Sequence, residues 1–298
     1  MKVIITGSLG NISKPLTSDL VANGNEVIVI SSNPARKQEI EDLGATPAIG
    51  DLHDVEFLKN TFAGADAVYT MVPPGNYFDQ NLDLLAYYTG LGKNYATAIE
   101  AAGVKKVVNL STIGGNLAEG NGILKGAHQV EEILNALPEE ISITHMRPNS
   151  FYYNLLSYIP MIKSQGIIAA NYGGKEVIPW VSPIDIASAV AEELTSTSTG
   201  RKERSVASED LSGDETAKIL GEAIGKPDLQ WILVSDEDTL NALISIGMNP
   251  EIAAGLVEMY GALHSGLLAE DYYKNKPAEM GKVKMKDYAK EFAAAFNQ

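Results

Sequence analysis

A glycine-rich segment near the start of the chain is the first feature whose residue types and spacing could do chemistry. Gly7 and Gly10 are followed at the same spacing by Ser13, a small residue where a third glycine is usual, within the segment TGSLGNIS. Glycines so spaced allow a tight turn and leave bare backbone, so that a pyrophosphate can approach the N-terminus of the next helix. We predict a dinucleotide site, although an empty structural turn would explain the same glycines. The expected contacts in this segment are Thr6, Gly7, Leu9, Gly10, Asn11 and Ile12.

A second candidate site lies roughly 20 residues past the glycines, where NAD-binding chains usually place an Asp or Glu for the ribose hydroxyls. This sequence has Ser31, Ser32 and Asn33 there, followed by Arg36 and Lys37. No carboxylate is present to repel a 2′-phosphate, and two cations can reach one. The segment therefore favours NADP(H) over NAD(H). The alternative is that the two cations only solvate the exposed face of a helix.

A third candidate is a cluster of aromatic and amide side chains that follows a predicted strand ending at residue 147. After the tetrapeptide RPNS come Phe151, Tyr152, Tyr153 and Asn154. Doubly wound folds bind ligands at the carboxyl ends of their strands, and flat rings suit a planar acceptor stacked on nicotinamide. We predict that these four residues contact the substrate. The alternative is that some of the rings form the core of a lobe interface.

Alternating strands and helices must position these residues. The β-rich runs span residues 2–6, 26–30, 46–49, 66–71, 105–110 and 141–147, and helical segments join them. Six such runs joined by helices imply parallel strands with right-handed crossovers. We therefore predict an α/β fold with a doubly wound parallel sheet of the Rossmann type and a smaller, helix-rich substrate lobe.

The alternation weakens after residue 147, and this places the lobe boundary. Segment 181–194 still has the pattern of a helix of the first lobe, capped by Asp185. We predict a dinucleotide-binding domain of residues 1–149 plus 181–196 and a substrate lobe of residues 150–180 plus 197–298. Within that lobe, apolar residues at helical spacing over 236–267 fit either a lid over the site or ordinary core.

Composition excludes several classes of function. The chain has no cysteine, which removes thiolate nucleophiles, zinc–thiolate sites and iron–sulfur clusters, and its four histidines show no metal-ligand spacing. A net charge of −15 disfavours nucleic acid and anionic membranes as partners. No signal peptide, G-x-S-x-G elbow or P-loop motif is present. We expect a cytoplasmic protein with no metal, acting on a small molecule, with a protein partner or a homodimer left open.

The chain resembles the NmrA-like group of atypical short-chain dehydrogenase/reductase proteins along almost its whole length. The stretches that carry the resemblance are TGSLGNIS, GDLHD, MVPP, AGVKKVVNLST, HQVEEIL, THMRPNSFYYNL and VSPIDIASAV. It implies that Asp51 and Leu52 border the adenine of NADP(H) and that Ser111 and Thr112 face the nicotinamide. The remaining cofactor contacts implied by it are Met71, Val72, Pro73, Pro148 and Asn149. Each has a plainer alternative, such as a helix cap or a strand end.

The resemblance also shows which catalytic group is missing. Many members of the wider superfamily reduce carbonyls with a serine after the fifth strand and a Tyr-x-x-x-Lys pair on the next helix, in which the tyrosine donates a proton. Here Thr112 takes the serine's place, but residues 111–140 contain no tyrosine. Aligning the pattern His-x-x-x-Glu puts His128 where the lysine would stand and Leu124 where the tyrosine would stand. The usual acid for carbonyl chemistry is therefore absent.

Two outcomes remain open. Quinone and triphenylmethane reductases of the family also carry the histidine pattern, and their acceptors take hydride onto a conjugated system. We predict such a reductase, with His128, Thr112 and Ser111 as candidate catalytic residues. The main alternative is a non-enzymatic NADP(H) redox sensor that binds a regulatory partner. A sugar-nucleotide epimerase ranks third because it needs the missing tyrosine.

Overall fold

Twelve strands in three sheets form the frame of the structure, a computed structural model that describes all 298 residues. The strands are β1 (Lys2–Ile5), β2 (Glu26–Ser31), β3 (Thr46–Ile49), β4 (Ala67–Thr70), β5 (Lys106–Leu110), β6 (Ser142–Pro148), β7 (Ser150–Phe151), β8 (Ile167–Ala170), β9 (Val177–Val181), β10 (Arg201–Val206), β11 (Glu209–Ser212) and β12 (Gln230–Leu233). The helices are α1 (Ser13–Ala22), α2 (Lys37–Asp42), α3 (Val55–Phe62), α4 (Leu84–Ala102), α5 (Lys125–Asn135), α6 (Ile159–Gln165), α7 (Pro183–Thr195), α8 (Gly213–Ala223), α9 (Asp236–Ser245), α10 (Pro250–His264), α11 (Glu270–Lys274) and α12 (Met285–Phe296). Three 3₁₀ segments lie at Pro34–Arg36, Gly122–Leu124 and Tyr152–Tyr158.

The largest sheet has seven parallel strands in the order β10-β6-β5-β4-β1-β2-β3. This confirms the predicted doubly wound fold, and all six predicted strands belong to it. Strand β1 pairs with β2 on one side and with β4 on the other, so the winding direction reverses there. A crevice opens at the carboxyl ends of strands at such a reversal, and ligands of open α/β sheets bind in it.

The seventh strand corrects the predicted lobe boundary. Strand β10 was expected in the substrate lobe, but it pairs along its whole length with β6. Its sequence, RKERSV, is rich in charged residues because it forms an edge of the sheet, where side chains remain exposed. An apolar pattern could not reveal it.

The two faces of the sheet carry separate cores, because successive side chains of a strand point to opposite faces. Val3 and Ile5 are fully buried and pack in one cluster with residues of α1 and α7. Ile4, between them, packs in a second cluster with residues of α3, α4 and α5. Helix α7 therefore packs on the main sheet, although it follows strands β7, β8 and β9 in the chain.

The cap of α7 differs from the prediction. Ser182, not Asp185, caps the helix, its hydroxyl accepting from the Ile184 backbone N–H at 3.2 Å. The buried carboxylate of Asp185 instead accepts hydrogen bonds from the Ser208 hydroxyl at 2.6 Å and from the backbone N–H groups of Lys282 and Val283 at 3.0 and 3.1 Å. Asp185 thus fastens the C-terminal segment to the first lobe.

A third core cluster lies outside the main sheet. Its members come from residues 152–292 and include the fully buried rings of Trp180, Tyr152 and Phe292. The two small sheets, β11-β9-β7 and β12-β8, and helices α8 and α12 supply most of the cluster. No helix of the structure is long and apolar enough to cross a membrane.

Candidate functional site

A cavity of about 1020 Å³ lies at the carboxyl ends of the main-sheet strands. Thr6, Ser31, Met71, Ser111 and Asn149, which end or follow β1, β2, β4, β5 and β6, all line it. The opposite wall comes from the third core cluster and from α10. The cavity therefore occupies the crevice that the strand order creates, and we refer to it as the cleft.

The glycine loop forms one end of the cleft. Ser8 adopts the left-handed conformation, with φ of 51°, and its backbone N–H donates to Ile30 O at 3.1 Å. A side chain at Gly7 would collide with that of Ser13, the residue in place of the third glycine. Helix α1 begins at Ser13, and no side chain caps it. Lys14 N–H donates to Gly10 O at 3.0 Å, Leu16 N–H donates to Ile12 O at 3.1 Å, and Pro15 has no N–H. The Ser13 N–H is therefore the first-turn donor that remains for an anion in the cleft.

Most of the predicted cofactor residues line the cleft. They are Thr6, Gly7, Gly10, Asn11, Ile12, Ser31, Ser32, Asp51, Leu52, Met71, Val72, Pro73 and Asn149. Five predicted residues do not: Leu9, Asn33, Arg36, Lys37 and Pro148. Leu9 packs into the first core cluster, and Pro148 pairs with Val206 as the last residue of β6.

The two predicted phosphate-binding cations have different surroundings. Arg36 lies against the glycine loop, with Nη1 donating to Leu9 O at 3.3 Å, and Glu39 is 3.9 Å away. Lys37 is more exposed and lies 4.0 Å from Glu41, on its own helix. The structure thus brings Arg36 next to the predicted phosphate position, while Lys37 belongs to the outer face of α2.

Polar groups beside Arg36 complete this end of the cleft. The Ser8 hydroxyl donates to the Ser31 hydroxyl at 2.9 Å. Asn33 caps the 3₁₀ turn that carries Arg36, its side-chain oxygen accepting from Ala35 N at 3.0 Å.

One ionised carboxylate lines the cleft, at the predicted adenine position. Hydrogen bonds from the backbone N–H and the ring of His53, at 2.9 and 2.8 Å, hold the pKa of Asp51 below its usual value. No lysine or arginine lines the cleft. No three His, Asp or Glu side chains form a group that could hold a metal ion.

The expected nicotinamide end has Ser111, Thr112 and Leu124 on its surface. Ser111 donates its hydroxyl proton to buried Glu131, whereas the Thr112 hydroxyl makes no hydrogen bond within the protein. Leu124, at the position of the usual catalytic tyrosine, is apolar. His128 does not line the cleft, and its Nδ1 donates to Gly115 O at 2.8 Å. The structure therefore shows the histidine in contact with the loop after β5, and a catalytic role for it stays a prediction.

The predicted substrate residues separate into two groups. Phe151, Tyr153 and Asn154 line the cleft. Tyr152 is fully buried and faces the other way: its hydroxyl donates to Val283 O at 3.2 Å and its ring stacks on Tyr288. The chain changes from strand β7 to a 3₁₀ helix at Tyr152, and this residue becomes core instead of a substrate contact.

Sequence reasoning missed most of the aromatic lining. Rings from distant segments join Phe151 and Tyr153 around the cleft: Tyr69, Tyr77, Tyr87, Tyr88, Tyr158, Tyr172, Trp180 and Tyr260. Burial raises the pKa of Tyr153 and of Tyr260 to about 12. Four of the lining tyrosines lie at residues 69–88 and four at residues 153–260, so no local cluster in the sequence indicates this wall. Its rings come together only in the fold.

The segment predicted as a lid or as core has both kinds of contact. Leu256, Met259 and Leu263 of α10 line the cleft, and the Asn249 backbone N–H before the helix donates to Tyr77 O at 2.9 Å. A side chain at Gly122 would collide with the α10 backbone, so the 3₁₀ turn before α5 and α10 cross at close range. Helix α10 therefore closes the cleft over its nicotinamide end and also contributes to the core around it.

Comparisons with known proteins place these features in context. The family model described as "NmrA-like family" matches residues 1–284. An NAD(P)H azoreductase from Xenophilus azovorans is 25% identical over 99% of both chains. Two solved structures have a TM-score of 0.80 at 20% identity: an NADPH-dependent quinone oxidoreductase from Escherichia coli complexed with NADPH, and a Citrobacter sp. triphenylmethane reductase. The first covers 97% of this chain and 99% of its own, and the second covers 99% and 100%.

Proposed function

The chain belongs to the NmrA-like family, and from this premise we propose that it is an NADPH-dependent reductase that transfers hydride to a quinone or a similar conjugated electrophile. Relatives named as reductases of azo compounds, quinones and triphenylmethane dyes support the reaction class. The shape and chemistry of the cleft support the acceptor class.

The residues present fit an NADPH dinucleotide. The Ser13 N–H at the start of α1, together with the glycine loop before it, would hold the pyrophosphate. The Ser31 and Ser32 hydroxyls, with Arg36 beside the loop, would hold the 2′-phosphate. Farther along, Asn149 has a buried side-chain oxygen without a partner, which can accept a hydrogen bond from the cofactor. Once bound, NADPH supplies a hydride.

The apolar and aromatic walls determine what can receive that hydride. Leu124, Leu256, Met259 and Leu263 exclude water from the nicotinamide end, and the tyrosine rings present flat faces to an acceptor. Offset stacking on such rings favours a planar conjugated molecule. The cleft therefore suits an aromatic acceptor better than a sugar, whose hydroxyls need polar partners.

The main support for a conjugated acceptor is that the cleft has no activated acid to protonate a simple carbonyl. A tyrosine donates a proton efficiently when a neighbouring cation lowers its pKa, but burial raises the pKa of Tyr153 and Tyr260 and no lysine or arginine lines the cleft. A simple aldehyde develops a localised alkoxide and needs that proton. A quinone spreads the charge over its ring system and can take a proton from water later.

Turnover of a small acceptor panel tests the proposal. NADPH oxidation is followed by absorbance with 2-methyl-1,4-naphthoquinone, a triarylmethane dye, an azo dye and benzaldehyde. We expect turnover of the quinone and of at least one dye, and none of the aldehyde.

The panel also separates the alternatives. Comparable turnover of benzaldehyde would show that an acid acts in the cleft and would refute the argument. If none of the four acceptors caused NADPH oxidation while fluorescence showed tight NADPH binding, the redox sensor would be favoured.

A further inference from the structure

A buried ion pair lies directly behind the nicotinamide end of the cleft. Glu131 of α5 and Arg147 of β6 have side chains that are only 4% and 10% exposed. They form a two-point contact, with Nη2 to Oε2 at 2.6 Å and Nε to Oε1 at 3.0 Å. Asp271 of α11 lies 3.3 Å from the remaining Arg147 nitrogen. Burial opposes ionisation of Glu131, but the hydrogen bonds from Arg147 and Ser111, together with the nearby positive charge, outweigh it and leave the pKa of Glu131 below its usual value.

The carboxylate of Glu131 also determines the direction of one hydroxyl in the cleft. Ser111 Oγ is within 2.5 Å of Glu131 Oε1. An ionised carboxylate has no proton to give, so Ser111 must be the donor. A serine hydroxyl has one proton and two lone pairs, and the lone pairs are what Ser111 can then present to the cleft. Ser111 is thereby fixed as an acceptor.

The packing around this contact requires a glycine at position 115. A Cβ at Gly115 would lie 2.6 Å from Glu131 Oε1 and 2.8 Å from Ser111 Oγ, so only glycine leaves room for the pair. Ser111 itself is 7% exposed and lines the cleft where β5 ends. In a doubly wound sheet with the pyrophosphate at β1 and the adenine ribose at β2, the second half of the dinucleotide covers this side.

We infer that Glu131 is a positioning residue, which holds Ser111 as a hydrogen-bond acceptor for the carboxamide N–H of nicotinamide and so sets the orientation of the ring. The inference rests on the proposed function in that it takes NADPH as the cofactor. Thr112, whose hydroxyl is not engaged, keeps the capacity to donate. The Ser111 hydroxyl thus accepts a hydrogen bond from the cofactor, whereas the Thr112 hydroxyl can donate one. Arg147 maintains this difference because it keeps Glu131 ionised.

Fluorescence titration with two ligands tests the inference. NADPH carries the carboxamide, whereas adenosine 2′,5′-bisphosphate lacks the nicotinamide half. Glu131→Gln can turn its amide either way and no longer compels Ser111 to donate. We expect this variant to bind NADPH about tenfold more weakly, the scale of one lost hydrogen bond, and the bisphosphate within twofold of the unaltered protein.

Two further variants keep the test independent of folding. Ser111→Ala leaves the Glu131–Arg147 pair intact and should show the same selective loss, and the double variant should be no weaker than Ser111→Ala alone, since both act on one contact. Glu132→Gln, the exposed neighbour on the same helix, is the matched control and should bind both ligands normally.

The outcomes are distinguishable. Equal weakening of both ligands by Glu131→Gln and Ser111→Ala, or additive losses in the double variant, would overturn the positioning role. If the unaltered protein bound NADPH but reduced no acceptor, the reductase would be refuted while the positioning role was still decided by the titrations. If it bound neither ligand, both proposals would fall.

Discussion

Selectivity for NADPH over NADH should depend on Arg36 far more than on its neighbour Lys37. The guanidinium of Arg36 already contacts the glycine loop at Leu9 O, and the adjacent Ser8 hydroxyl donates to the Ser31 hydroxyl at 2.9 Å. Lys37 is 64% exposed and lies nearest Glu41. The perturbation is therefore Arg36→Ala, with Lys37→Ala as the matched control.

The expected magnitude follows from these contacts. A hydrogen bond between charged groups contributes about 1.5–3 kcal/mol. Solvent reaches 41% of the Arg36 side chain, and Glu39 at 3.9 Å competes with a phosphate for the same guanidinium, so the lower part of the range applies. We expect Arg36→Ala to weaken NADPH by about 1–2 kcal/mol, roughly 5- to 30-fold. NADH, which has no 2′-phosphate, should be unaffected, and Lys37→Ala should change either affinity by less than about twofold.

A substitution at Glu39 should change the NADPH affinity in the opposite direction. Its carboxylate binds Lys14 at 2.8 Å, and this hydrogen bond lowers the pKa of Glu39, so the group is charged whenever cofactor binds. Glu39→Gln removes a competitor of the phosphate and should tighten NADPH a few-fold. Fluorescence titration of both reduced cofactors measures all three variants. Equal losses of NADPH and NADH in Arg36→Ala, or a larger effect of Lys37→Ala, would refute the assignment.

Three further predictions concern stability, charge and pH. Asp185→Ala should lower the free energy of unfolding by about 2–4 kcal/mol in urea denaturation, because the buried Ser208 hydroxyl and the partly buried N–H groups of Lys282 and Val283 lose their acceptor; unchanged stability would show that water replaces the carboxylate. A sulfonated naphthoquinone should have a kcat/KM at least about tenfold below that of its neutral parent, since no cation lines the cleft to pair with the sulfonate; equal values would place the acceptor outside the cleft. Burial raises the pKa of Tyr153 and Tyr260 to about 12, so both phenols stay protonated and quinone turnover should show no tyrosine-dependent fall up to about pH 10; a fall that disappears in Tyr153→Phe would identify an acid we have not assigned.

The sequence could predict the main sheet because apolar patterning is a local property. The first six strands and their helices appear where β-branched runs and helical spacing placed them, with ends shifted by a few residues. Asp54, a residue type favoured at helix N-caps, caps α3 by accepting from Glu56 N and Phe57 N. Strand β10 was not predicted because it is an edge strand. Its side chains remain partly exposed, so its sequence carries charged residues and has no apolar pattern.

Contacts between distant segments set the limit of sequence reasoning. Asp185 has the residue type and position of a helix cap, and only the fold shows that its partners lie almost a hundred residues farther along. Tyr152 and Tyr153 are adjacent and chemically identical, yet the 3₁₀ segment that begins at Tyr152 directs one ring into the core and the other to the cleft. Neither outcome has a signal in the local sequence.

The same limit explains why the missing catalytic tyrosine could be recognised from the sequence but not interpreted. Leu124 showed that the usual acid was absent, and another tyrosine could have taken over its role. The fold brings eight tyrosines around the cleft but no lysine or arginine to lower the pKa of any of them. Ser111 is committed to Glu131, and His128 to a backbone carbonyl. Proton donation therefore falls to Thr112 or to water, both weak acids. Under the proposed function, an acceptor must therefore stabilise the added charge by its own conjugation, because the cleft lacks an activated acid that could protonate it.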